Sequence, residues 1–131
     1  MIEQYVYDKI EEDETLQELL SAGSDGIHLY PGAVERGVEF ERAVTFTLIN
    51  TGDAFPTIQS RFVQFNIFAK RHSETAEIAD ALANLFNEDN NNSSDGVDVV
   101  FSIRQGENDL GRELDEEVYF QRQVTYKFIM R

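Results

Sequence analysis

The sequence predicts an α+β fold: a mainly antiparallel sheet of four to five strands, with an N-terminal helix and one central helix packed on it. The order of elements is α-β-β-β-α-β-β. Three observations carry this expectation. "AVTFTLIN" (43–50) alternates apolar and polar residues with the period of a strand. "RFVQFNIFAKRHSETAEIADALANLF" (61–86) passes from that period to helical spacing within three or four residues. The strand-like runs that short connections can join are neighbours in sequence, which favours antiparallel pairing. The chain has 131 residues, 41% of them hydrophobic and ten of them Phe. That suits a single domain, 1–131, with one core, and no internal repeat is visible.

Residues 2–20 read as helix. Ile2, Tyr5, Val6 and Ile10 keep a 3–4 spacing, and Leu16, Leu19 and Leu20 resume it. Asp13 can cap a fresh short helix, which would divide the segment in two, and its acids lie where the new helix dipole favours them. Ala22–Gly26 is a turn cluster. "IHLYPG" (27–32) reads as a short strand stopped by Pro31, 33–42 as irregular, 43–50 as a strand and "TGDAFPT" as a loop. In the next strand Val63, Phe65, Ile67 and Ala69 share one face. The mixed set Phe62, Gln64, Asn66 and Phe68 forms the other, so the strand is central or meets a partner. Ser73 is the expected N-cap of the central helix. Glu74 and Glu77 suit its first turn, Ile78, Ala79, Leu82, Leu85 and Phe86 form its buried stripe, and it ends at Asn87.

"NEDNNNSSDG" (87–96) reads as a polar loop. "VDVVFSIR" puts Val97, Val99, Phe101 and Ile103 on one face of a strand, and "GENDLGRELDEE" (106–117) reads as an acidic connection. In the last strand Val118, Phe120, Val124, Tyr126 and Phe128 face one way, and Tyr119, Gln121, Gln123, Thr125 and Lys127 the other. Arg122 interrupts the apolar row, where it snorkels, pairs with an acid or meets an interface.

Eleven Lys and Arg stand against 25 Asp and Glu, a net charge of −14. Such a chain repels nucleic-acid phosphates and anionic membranes unless a local patch reverses the sign. Basic residues are scattered, with no basic–aromatic patch. There is no cysteine, hence no disulfide, thiolate nucleophile or Cys-based zinc site. The opening MIEQYVYDKIEEDE lacks the pattern of a signal peptide, and no apolar run approaches the ~20 residues that span a bilayer. The expectation is a soluble protein used without export.

Catalytic signatures are wanting. His28 and His72 are the two available bases. The first reads as a structural histidine in a short strand, and the second sits beside Ser73 at a strand–helix turn that rarely aims both groups at one atom. A calcium loop starting at Asp89 wants Gly at its sixth place and Glu at its twelfth, where Ser94 and Val100 stand. No Gly-rich phosphate cradle exists. The expectation is a protein that is not an enzyme and needs no cofactor or metal.

The order of elements as a whole resembles the tail terminator (tail completion) proteins of long-tailed bacteriophages and related viruses. The likeness runs through "LQELLSAGSDGIHLYPG", through the strand and Ala-rich helix of 61–86, through "VVFSIRQGEND" and through "VYFQRQVTYKFIMR". Residues 33–58 match least. The resemblance implies a hexameric ring that caps the tail tube, stops its elongation and presents the docking surface for the head connector or stopper, with viral DNA passing through its lumen. It implies a place at the head-proximal end of the virion tail, after assembly in the host cytoplasm. An acidic lumen wall would let DNA slide, and Glu107, Asp109, Glu113 and Asp115 are its candidates. A ring needs a repeated heterologous interface. The mixed faces supply candidates for it: Phe62, Gln64 and Phe68, with Tyr119, Gln121 and Arg122. Asp53, Phe55 and Pro56 are candidates for contact with tube or connector. A head-side neck adaptor or stopper would suit the same features, an acidic DNA-mimic inhibitor the same charge. A small enzyme of another type is the third alternative.

Overall fold

The computed structural model describes residues 2–21, 27–32, 41–49, 59–87, 89–94, 97–114 and 117–130. Two short helices open the chain, α1 (Ile2–Glu12) and α2 (Glu14–Leu20). Three strands follow, β1 (Leu29–Pro31), β2 (Arg42–Ile49) and β3 (Gln59–Ala69). Helix α3 (His72–Phe86) leads to β4 (Asp89–Ser94), β5 (Val97–Leu114) and β6 (Glu117–Met130). The six strands form one sheet in the order β1-β2-β3-β6-β5-β4. The fold is α+β, as expected, but the sheet is mixed: β1 runs parallel to β2, and the other pairings are antiparallel.

The sheet has six strands where four to five were expected. The N-terminal segment divides at Asp13, as the capping signal offered, because Asp13 adopts extended geometry and its Oδ1 accepts the Leu16 amide at 3.0 Å. Three further expectations need correction. The polar run expected as a loop contains β4, and the expected acidic connection is the continuation of β5 as far as Leu114. Both strands are held by ladder hydrogen bonds to a partner, so neither needs an alternating apolar pattern of its own. Ser94 pairs with Val97 and Leu114 with Glu117, each leaving two residues between partners. Finally, the residue before α3 is Arg71, with no side-chain cap, and Ser73 lies inside the helix. β3 runs to Ala69, so the helix starts before Ser73 can take the capping position. Thr75 Oγ1 donates back to the His72 carbonyl at 2.6 Å instead.

The helices cover one side of the sheet. Val44, Phe46, Val63, Phe65, Ile67, Val124, Tyr126 and Phe128 point into this side and are buried. They meet Tyr5, Val6 and Ile10 of α1, Leu16 and Leu20 of α2, and Ile78, Leu82 and Phe86 of α3. The helical spacing of these apolar residues delivers one stripe per helix, and the strand period delivers every second residue. At the centre lies an aromatic cluster. Phe86 stacks on Phe65 with 5.7 Å between ring centroids and meets Phe128 edge-on at 5.6 Å. Tyr126 meets both Phe65 and Phe86, and Tyr5 brings α1 against Phe128 at 6.2 Å.

Polar links tie the helix ends to the strands. The last turn of α2 has no basic residue of its own, and its free carbonyls need donors. The His28 amide supplies one to Leu20 at 2.9 Å, and Arg42 Nη1 supplies another to Leu19 at 3.4 Å. The Arg42 Nε also donates to the Glu74 carboxylate in the first turn of α3. His28 itself is buried, with Nδ1 2.6 Å from the Tyr30 hydroxyl, and this burial holds its pKa below the usual value for histidine.

Three outcomes test this architecture. Phe86→Ala should lower stability by about 3–5 kcal/mol in urea unfolding, since it removes the ring on which three others rest; a loss under about 1 kcal/mol would contradict the cluster's role. Asp13→Ala should cost about 1 kcal/mol through the lost cap. For His28 the unfolded chain binds a proton more readily than the folded one below about pH 6.5, so stability falls as pH drops through that window. The difference in unfolding free energy between wild type and His28→Gln should therefore shrink between about pH 7.5 and about pH 5.

Candidate functional site

The side of the sheet away from the helices is the candidate surface, and its rows follow from register. Phe62 lies between Ile49 and Lys127, Gln64 between Thr47 and Thr125, Asn66 between Thr45 and Gln123, and Phe68 between Ala43 and Gln121. None of these is a carboxylate. Along β5, Gly106 is the ladder partner of Thr125 on this side. In the backbone ladder Glu107, Asp109 and Glu113 are the partners of Val124, Arg122 and Val118. Within these rows of β2, β3 and β6 this side is made of amides, hydroxyls and apolar groups with a cation at Lys127, although the chain carries a net charge of −14.

The rows differ in character. At one end Lys127 Nζ sits 5.9 Å from the centre of the Phe62 ring, beside the exposed Ile49; a cation over an aromatic face adds modest attraction. In the middle Asn66 Oδ1 accepts from Gln121 Nε2 at 2.8 Å and from Gln123 Nε2 at 3.2 Å. Gln121 is 3% exposed, and its Oε1 has no donor among the described residues. At the other end Ala43, Phe68 and Tyr119 form a small buried cluster with Tyr30 packed against it. The end with Ala43, Phe68, Tyr119 and Gln121 is already buried within the chain, so the area left for packing against another protein is that of Thr47, Phe62, Gln64, Asn66, Gln123 and Thr125.

The expected interface residues divide between the two sides. Phe62, Gln64, Phe68, Tyr119 and Gln121 share the helix-free side, with Phe68 directly opposite Gln121. Arg122 does not join them. It pairs with Ile67 on the helix-bearing side, where its Nε donates to Thr75 Oγ1 at 3.4 Å and so meets the first turn of α3. Asp53, Phe55, Pro56 and Asp115 lie outside the described residues. Sequence reasoning left Thr45, Thr47 and Asn66 out of the interface set. The signal was present: laying the alternation of β2 beside those of β3 and β6 puts all their off-core residues on one side.

His72 packs edge-on against Phe120 at 5.8 Å. His28 is buried at the start of β1 against Tyr30, so the two histidines serve separate neighbourhoods. Among the described residues no group of three or more His, Asp or Glu is arranged to hold a metal ion, and no helix is long and apolar enough to cross a membrane. In comparison with known proteins, no family model matches the chain and no curated protein is similar enough to count as a relative.

Proposed function

We propose that the chain is a ring-forming structural subunit of the tail-terminator type, working through fitted surfaces rather than bond-making. On this reading copies close into a hexameric ring on the end of a tail tube. One end of the ring meets the tube protein, the other meets the head connector, and viral DNA threads the hole. The observation that supports it best is the lack of carboxylates, among the described residues, in the rows that β2, β3 and β6 share on the helix-free side. A −14 chain meeting copies of itself needs a contact surface without like charges. The helix-free side has that character across Thr47, Gln64, Asn66, Gln123 and Thr125. A heterologous contact would set this side of one copy against a different surface of the next, as rotational closure requires. The acids concentrated elsewhere would remain free to face the DNA path.

Native mass spectrometry and electron microscopy, with and without tail tubes, test the reading. The expected result is six-fold rings, formed alone or on tubes. Gln64→Glu adds a carboxylate in the middle of the neutral side and should weaken association about tenfold or more, while circular dichroism and melting temperature stay near wild type. A monomer that ignores tubes and tightly inhibits a DNA-binding enzyme would favour the DNA-mimic reading instead.

A further inference from the structure

One corner of the helix-free side differs from the rest of it. Ile49, Phe62 and Lys127 stand side by side across β2, β3 and β6. Ile49 is 39% exposed, and Phe62 and Lys127 are half-buried. Lys127 Nζ lies over the Phe62 ring and, among the described residues, makes no ion pair. An ammonium held only by a ring face keeps its capacity to attract a carboxylate. The corner therefore combines accessible apolar surface with a cation that lacks an acidic partner among the described residues.

The same chain carries a complementary surface on its other side. Helix α2 packs on the helix-bearing side through the buried Leu16 and Leu20, which leaves Glu14 and Glu18 exposed. The two carboxylates are four residues apart, where like charges on a helix repel. Glu18 also lies in the last turn of α2, which has no basic residue, so the helix dipole opposes it. Among the described residues neither acid makes an ion pair. This arrangement is unfavourable within one subunit, and a cation brought from outside offsets both repulsions. We propose that the Ile49–Phe62–Lys127 corner is occupied by a second copy of this chain, which seats the Glu14–Glu18 face of α2 there with its carboxylates on the Lys127 ammonium. The inference rests on the ring reading and deepens it by naming both surfaces of the heterologous contact. The two surfaces lie on opposite sides of the sheet, so each copy can use both at once, as a contact repeated from copy to copy requires. The row next to the corner is Thr47, Gln64 and Thr125, so arriving carboxylates meet no like charge in it.

The test uses the full chain, with association read by sedimentation velocity and native mass spectrometry at low salt, alone and on tail tubes. Lys127→Glu should weaken association about tenfold or more, and Glu14→Lys combined with Glu18→Lys about as much. The chain with all three substitutions should recover to within about threefold of wild type, because the reversed charges attract again. Arg71→Glu makes the same change of charge at an exposed residue outside both surfaces and should leave association near wild type. Circular dichroism checks the fold of each variant. Wild-type association with no loss in Lys127→Glu, an equal loss in Arg71→Glu, or no recovery in the triple variant would each overturn the pairing and leave the ring reading standing. A wild-type chain that stays monomeric even on tubes would remove both.

Discussion

The pairing of β3 with β6 is the constraint on which the remaining structure depends. The two strands run in register from Gln59 and Met130 to Ala69 and Phe120, although more than half the chain separates some partners. Ladder hydrogen bonds alone would not hold so distant a pairing against the entropy of closing the intervening loop. The aromatic cluster does. Phe65 from β3 and Tyr126 and Phe128 from β6 present adjacent rings, and Phe86 at the end of α3 meets all three. The helix that connects the halves is therefore also the weight that holds them together. Register and helix placement stand or fall as one, because a one-residue slip would turn these rings away from α3.

Much of this was legible in the sequence because burial writes a periodic signal. Phe65, Ile67, Val124, Tyr126 and Phe128 repeat every second residue, and Ile78, Ala79, Leu82 and Phe86 repeat at helical spacing. β4 and the distal part of β5 left no such mark. Residues such as Asn90, Asn92, Glu107 and Asp109 take their conformation from ladder partners and hairpin geometry, interactions that involve the backbone and are nearly blind to side-chain type. The parallel β1–β2 pairing was hidden for a related reason: three residues are too few to show alternation. The capping of α2 was half visible. Asp13 carried its signal, whereas Arg42, which reaches the α2 carboxyl end from β2, is placed by tertiary structure alone.

The candidate surface was partly legible as well. The mixed composition of Phe62, Gln64 and Phe68 marked a side that was neither core nor ordinary solvent face. What a single strand does not reveal is how its residues line up with those of its neighbours. Asn66 gains its role only when Gln121 and Gln123 from β6 stand beside it. Arg122 illustrates the converse. It looked like an interface cation because it interrupts an apolar row, yet that row lies beneath α3, and the buried Thr75 hydroxyl gives the guanidinium a partner there. A charged side chain in an apolar row is informative only once the element above it is known.

The β1 border of the sheet is short. β1 has three residues and ends in Pro31, which lacks an amide hydrogen, and the chain then turns through Gly32 at φ +87°. The Gly32 amide is spent on the Phe46 carbonyl at 2.8 Å. The β1–β2 ladder therefore stops at Pro31 and Phe46, where the chain turns away. A side chain at Gly32 would find open space yet force an unfavourable backbone, so this corner of the sheet is set by conformation and not by packing.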